Sequence, residues 1–315
     1  MEDDIFRLSL AITVLILPLL ILWYRRRKRA NGAFVLVTGC SSGIGRATAV
    51  FLDRSGFRVI ATLRSKSQAE SLSKVTSAKL TTILLDVTND EDIASAVRDV
   101  KEIVGNVGLY ALVNNAGIMY GGPQEYFKPE WTKQIFETNF FGAIKLVHHF
   151  TPLLRLAQNA RIVNVTSLLG MVAAPMYSSY SASKWALEGY SDALRRELWD
   201  SGMNVIVVQP GTTHTALLSN LNHNYAEKMN PAVLGEDKYK MFKRQYSQAE
   251  KRLKWKLDAM AFLRDEPESV AKAIGEALLR VNPPLRIRVH YDTRAVQIIS
   301  ALMPRIVWDV VYNVI

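Results

Sequence analysis

Tyr180 and Lys184 stand four residues apart in YSASKWALEGYSDALRRELW, residues 180–199. In a helix that spacing puts phenol and ammonium on one face, a turn apart. A free tyrosine titrates near 10 and is a poor acid or base at neutral pH. A lysine ammonium beside it favours the phenolate and would bring it toward the working pH. Most such pairs are solvated surface, so the chemistry needs other residues that point the same way. TGCSSGIG, residues 38–45, supplies a second group: Gly39, Gly43 and Gly45 lie between an apolar run and a helical pattern. Glycines there permit a tight turn and close approach of backbone to a pyrophosphate, and the helix N-terminus that follows attracts the anion.

The nucleotide's identity is addressed by the end of the second apolar run, ATLRSKS. An NAD site usually carries an acid there to bond the ribose hydroxyls. No Asp or Glu occurs between Phe57 and Ala69, whereas Arg64 and Lys66 do, with Ser41 and Ser42 in the glycine loop. These residues suit a 2′-phosphate, so NADP(H) is the expected cofactor; a solvated basic loop is the plainer alternative.

The elements that must position these groups follow a repeating strand–helix order. FVLVTG, FRVIATL, LTTILLDV, LYALVNNAG, ARIVNVTS and MNVIVVQPG read as strands. They are continuous apolar runs, as expected when both faces of a parallel sheet are covered. Helices are predicted between them, one ending at Gly56, one capped by Asn89, a long helical region over 129–157 and another over 178–200. The fold class is α/β, a Rossmann doubly wound parallel sheet with helices on both faces. Residues 212–262 break the rhythm with a polar stretch rich in Lys, Tyr and Met, expected to cap the substrate. Pro267 opens a further helix and LRIRVH a last edge strand.

The chain has 315 residues, 49% of them hydrophobic, and a formal charge of +10. Such a charge suggests nucleic acid or an anionic membrane, and the placement of the basic residues favours the membrane. Residues 8–24, LSLAITVLILPLLILWY, carry no charge. At about 1.5 Å per residue they span most of a hydrocarbon core, at the short end and with Pro18 able to kink them. Glu2, Asp3 and Asp4 flank one side and RRRKR at 25–29 the other. This is the pattern of an N-terminal transmembrane helix with the body of the protein cytoplasmic; a cleaved signal peptide would carry its positive charge before the apolar run. The expected division is therefore an anchor and basic stop over 1–31, a catalytic domain over 32–294 and a C-terminal apolar helix over 295–315. That last helix either packs on the domain or lies in the bilayer interface. The single cysteine, Cys40, excludes an intrachain disulfide and fits a reducing compartment.

Thr38–Gly45, Asn114–Gly117 (NNAG), Ser167, and Tyr180 with Lys184 together resemble the short-chain dehydrogenase/reductase family, in the family's order and over roughly residues 33–215. TGCSSGIGRATAVFLDRSGFRVIATLRS and VNVTSLLG are most similar to its membrane-associated branch of retinol and 17β-hydroxysteroid dehydrogenases. The resemblance implies that Tyr180 exchanges a proton with the substrate oxygen, that Lys184 lowers its pKa and bonds the nicotinamide ribose, and that Ser167 orients the substrate oxygen. It implies that Asn139 holds a helix kink and a relay water, although an isolated helical Asn is ordinarily surface. It places Gly39, Ser41, Ser42, Gly43, Ile44 and Gly45 on the cofactor, with Arg64, with Asn115 and Gly117 beside the adenosine ribose, and with Pro210, Gly211, Thr213 and Thr215 at the nicotinamide amide. Asp86 meets the adenine amino group or merely closes a strand-end turn; both readings stand.

Tyr177 is a rival base, but its i+4 neighbour is Ser181, which carries no charge. His148 and His149 have no ligand at metal spacing nearby, so no metal is expected. The sequon at Asn164 falls in a predicted buried strand. The function expected is NADP(H)-dependent interconversion of a lipophilic alcohol and its carbonyl, of the steroid or retinoid class, at the endoplasmic reticulum membrane. Reduction of long-chain acyl or sphingoid ketones is the alternative, and a non-catalytic membrane scaffold a more distant one. The partners expected are the lipophilic substrate and the membrane, without nucleic acid and with a homodimer left open.

Overall fold

The structure is a computed structural model that describes residues 30–215, 217, 221–259, 264–302 and 307–308. The predicted transmembrane helix over 8–24 lies outside the described residues, as does most of the C-terminal stretch beyond Leu302. Among the described residues no helix is long and apolar enough to cross a membrane.

Strands β1 (Phe34–Val37), β2 (Arg58–Leu63), β3 (Thr81–Leu84), β4 (Ala111–Asn114), β5 (Arg161–Val165), β6 (Asn204–Gln209) and β7 (Arg286–Arg288) form one parallel sheet in the order β3-β2-β1-β4-β5-β6-β7. The order reverses between β1 and β4, and there a crevice opens at the carboxyl ends of the strands. Helix α1 (Gly43–Arg54) follows β1, α2 (Lys66–Ser73) follows β2, and α3 (Asp90–Val104) follows β3. The predicted long region after β4 resolves into α4 (Pro129–Phe136), a π-helical turn (Glu137–Phe141) and α5 (Gly142–Leu154). Helix α6 (Ser178–Glu197) carries the Tyr180–Lys184 pair.

Successive side chains of β1 divide between the two faces, as a strand requires. Leu36 joins Leu112, Ile162, Ile93, Leu146 and Phe150 on one side. Val35 and Val37 join Val113, Val163, Leu52 and Ile274 on the other. Burial on both faces accounts for the unbroken apolar runs. The helix ends carry their own signals. Asn89 accepts from the backbone N–H of Glu91 and Asp92 at 2.8 and 3.2 Å. Gly56, just past α1, takes φ +90°, which a side chain resists.

The polar stretch after β6 is helical: α7 (Leu221–Lys228), α8 (Pro231–Leu234) and α9 (Glu236–Ala259). Met229 and Phe242 from it pack on Phe127, Trp131 and Ile135 around α4. Helix α10 (Pro267–Leu279) begins at the predicted proline, and α11 spans Tyr291–Leu302. Residue 294 therefore falls inside α11, whose Thr293 is fully buried.

Candidate active site

The crevice holds a cavity of about 1060 Å³ that runs from the glycine loop to Tyr180. Gly39, Ser41, Ser42, Gly43, Ile44 and Gly45, Arg64, Asp86, Asn115, Gly117, Ser167, Tyr180, Lys184, Pro210, Gly211, Thr213 and Thr215 all line it. Asn139 does not; it stands behind the wall, 1% exposed.

The glycine loop is shaped by close contact. Gly39 and Gly43 take φ +72° and +54°. A Cβ on Gly45 would overlap the Gly39 carbonyl and lie 2.5 Å from Asn115 Nδ2. Ser42 is the N-cap of α1 but its side chain makes no capping bond, so the first-turn N–H groups are left to a ligand, as an anion site requires. Thr38 ties this loop to the next: its Oγ1 accepts from the N–H of Asn115 and Ala116 at 2.9 and 3.0 Å. Asn115 Nδ2 donates to the Thr38 carbonyl at 2.8 Å. This cradle, with an exposed Arg64 at its outer end, fits a dinucleotide phosphate. Asp86 Oδ1 accepts from the N–H and hydroxyl of Thr88 at 2.9 and 2.7 Å; it closes a turn and faces the cavity, so both sequence readings remain compatible with its position.

The chemistry-bearing groups come from four separated segments. Asn139 sits in the π-helical turn, where the looser winding turns its amide inward. Its Oδ1 accepts from Ile118 N–H at 2.8 Å, and its Nδ2 donates to the Ile118 carbonyl at 2.9 Å and to Ser183 Oγ at 3.1 Å. Ser183 in turn donates to the Tyr180 carbonyl at 2.7 Å. Lys184 Nζ donates to the Val165 carbonyl at 3.0 Å and lies 5.8 Å from the Tyr180 ring centre. Ser167 Oγ accepts from Leu169 N–H at 3.1 Å and its hydroxyl adjoins the phenol of Tyr180.

Burial pushes the Tyr180 phenol up to about 12, against a smaller downward pull from the Ser167 hydroxyl. Burial also brings Lys184 down to about 8, opposed by the Glu188 carboxylate. The reason is desolvation: β5, the 117–119 segment and α6 enclose both groups, and loss of water disfavours the charged form of each.

Two sets of residues escaped the sequence reading. Glu188, one turn past Lys184, accepts from Thr166 Oγ1 at 2.6 Å, Gln209 Nε2 at 2.8 Å and Arg286 Nε at 3.1 Å. It thereby binds α6 to β5, β6 and β7. The 210–215 loop is clamped from the chain's end: Gly211 N–H donates to His290 Nδ1 at 3.1 Å, Thr212 N–H to Asp292 Oδ2 at 2.9 Å, and His214 N–H to the Asp265 carbonyl at 2.9 Å. Any Cβ on Gly211 would collide with the Asp292 carboxylate. The i+4 spacing of Glu188 from Lys184 was a visible signal; the loop clamp had none, because its partners lie about 50 to 80 residues away. Asn164, the sequon asparagine, is buried and bonded to Asn114 and Ser191 at 2.9 and 2.8 Å.

A family model described as short chain dehydrogenase matches residues 33–226, more than half of the chain. The chain belongs to the short-chain dehydrogenase family. Among curated relatives, this short-chain dehydrogenase is 44% identical to 17-beta-hydroxysteroid dehydrogenase type 6 of Bos taurus over 202 residues, 63% of each chain. It is 33% identical to retinol dehydrogenase 5 of Mus musculus over 305 residues, 92% of each. The chain thus spans just under two thirds, 63%, of the first relative's length. A solved short-chain dehydrogenase from Streptomyces avermitilis superimposes with a TM-score of 0.69 at 28% identity, covering 89% of this chain and 97% of its own. The match in order and extent agrees with the Rossmann-type sheet and with the retinol and steroid dehydrogenase branch expected from the motifs.

Proposed function

We propose that the protein is an NADP(H)-dependent oxidoreductase that interconverts a lipophilic alcohol and its carbonyl. The observation that carries this reading is one cavity with a phosphate cradle at one end and, at the other, Tyr180 beside Ser167 against an apolar wall of Met119, Leu169, Ala174 and Leu217. The activities named for the cattle and mouse relatives, on hydroxysteroids and retinol, agree with such a wall.

When bound, the nicotinamide supplies or accepts the hydride. Gly39, Ser41, Ser42, Gly43, Ile44 and Gly45 would hold its pyrophosphate, Arg64 the 2′-phosphate, Asp86, Asn115 and Gly117 the adenosine, and Pro210, Gly211, Thr213 and Thr215 the nicotinamide amide. Ser167 orients the substrate oxygen and Tyr180 exchanges its proton. A phenol raised to about 12 is a neutral O–H at cellular pH, the form needed to protonate a carbonyl oxygen during reduction. Lys184 supplies positive charge beneath the phenol when a proton must leave it, and Asn139 braces the helix turn and the 118 backbone. The uncharged run over residues 8–24 and the basic run at 25–29 support attachment to the cytoplasmic face of the endoplasmic reticulum membrane, where lipophilic substrates partition and NADPH favours reduction.

The test is a turnover screen of the full-length protein in liposomes, with NADPH and NADH, against steroid, retinoid and sphingoid ketones and aldehydes. Reduction of a steroid or retinoid with preference for NADPH is expected. Tyr180→Phe should abolish turnover and leave dinucleotide binding nearly intact. Retained turnover in that variant sinks the mechanism, equal or better use of NADH sinks the cofactor assignment, and activity confined to sphingoid ketones moves the substrate class.

A further inference from the structure

Tyr177 lies three residues before Tyr180, at the N-cap of α6, and lines the same cavity. Its phenol has neither the serine nor the lysine that attends Tyr180. It is 7% exposed, and burial alone pushes its pKa far above the ordinary tyrosine value. It is therefore a neutral hydroxyl at any physiological pH and no candidate for proton exchange. Other enclosed phenols are satisfied within the protein: Tyr110 donates to the Leu278 carbonyl at 2.7 Å, and Tyr225 donates to Glu250. Among the described residues the Tyr177 hydroxyl has no hydrogen-bond partner. A ligand that covered this hydroxyl in the cavity without bonding it would leave it unpaired at a cost of about 1–3 kcal/mol.

The backbone holds Tyr177 there at a cost. Met176 takes φ +71°, in the left-handed region that non-glycine residues avoid. Its carbonyl accepts from Gly122 N–H at 2.8 Å, which fixes the kink that turns Tyr177 into the cavity. Around it stand Met119, Met176, Leu169, Ala174 and Leu217. The phenols of Tyr180, Tyr225 and Tyr246 share this cluster but meet Ser167, Glu250 and Glu125. Among the described residues the Tyr177 hydroxyl is the one of the four without such a partner, which marks it for recognition rather than packing.

We infer that Tyr177 is a specificity-determining residue whose hydroxyl bonds a second oxygen function of the substrate, while Tyr180 addresses the reacting oxygen. This rests on the oxidoreductase reading above. It narrows the substrate to a lipophilic carbonyl or alcohol with another hydroxyl or carbonyl on the same skeleton, as a steroid offers. A retinoid, whose one oxygen is the reacting one, leaves Tyr177 unpaired. Sites built to hydrogen-bond a substrate hydroxyl discriminate strongly against analogues that lack it.

The experiment compares 17-keto steroids bearing a hydroxyl at C3, C11 or C16 with the parent 17-ketone, using full-length protein in liposomes and NADPH. At least one hydroxyl should raise kcat/KM about tenfold, the worth of one good neutral hydrogen bond. Tyr177→Phe should erase that advantage and leave kcat for the parent ketone unchanged. If Tyr177→Phe loses dinucleotide binding, Tyr177→Met takes its place in the same comparison. Equal use of all members by the wild type, survival of the advantage in the variant, or a parallel fall for every ketone overturns the assignment. Turnover of retinal but of no steroid ketone overturns it and leaves the oxidoreductase reading standing. No turnover of any carbonyl overturns both.

Discussion

At the scale of single residues, the site is governed by how much water each titrating group has lost. Lys184 is brought from 10.5 to about 8 by burial. Below about pH 8 the folded protein carries a buried ammonium at a cost the unfolded chain does not bear. Between about 8 and 10.5 the unfolded chain binds more protons than the folded one, so this group makes stability rise with pH. Tyr180 acts in the opposite sense, but only from its ordinary value of 10 up to about 12. The Cys40 thiol, raised from 9.0 to about 12, also enters above pH 9. Across the window from pH 8 to 10 the lysine is therefore isolated by comparing wild type with a variant lacking Lys184, in which the thiol is unchanged. The thermal midpoint of the wild type should gain on that of Lys184→Met across this window; parallel midpoints from pH 7 to 10 would show that the lysine is not desolvated.

At the scale of elements, the π-helical turn between α4 and α5 is tied to its neighbours through one side chain. Asn139 satisfies both the N–H and the carbonyl of Ile118 and reaches Ser183 on α6. Asn139→Ala strands those backbone groups in a buried setting and should cost about 1–3 kcal/mol, read as a lowered thermal midpoint together with a reduced kcat. An unchanged midpoint would mean that the turn holds itself without the amide. The sequence showed that an asparagine lay in a long helical region, but a regular helix would have put it on either face. The extra residue of the π turn decides which way it points.

At the scale of the whole molecule, the membrane attachment we propose rests on residues 1–29, which lie outside the described residues. If the uncharged run and its basic flank form the anchor we propose, the full-length protein should stay with membranes through alkaline carbonate washing, and a chain beginning at residue 30 should not pellet with them. Release of the full-length protein by carbonate would replace the spanning helix with peripheral attachment. The C-terminal helix α11 bears on the same scale, since its first turn supplies Asp292 to the 210–215 loop.

The sequence by itself determined what short-range periodicity and turn chemistry can carry. Continuous apolar runs separated by helical patterns specify a parallel sheet covered on both faces. Gly39, Gly43 and Gly45 specify a tight strand-to-helix turn, and Tyr180 and Lys184 share a face because one helical turn separates them. Tertiary structure decided the rest. It set Ser167 against Tyr180, tied Asn139 to Ile118, clamped Gly211 with His290, and left the Tyr177 hydroxyl without a partner among the described residues. It also closed over Tyr180, whose phenol burial pushes up to about 12. The physical reason is that a neighbouring charge can be read from spacing along one helix, whereas desolvation depends on every element that closes over the group.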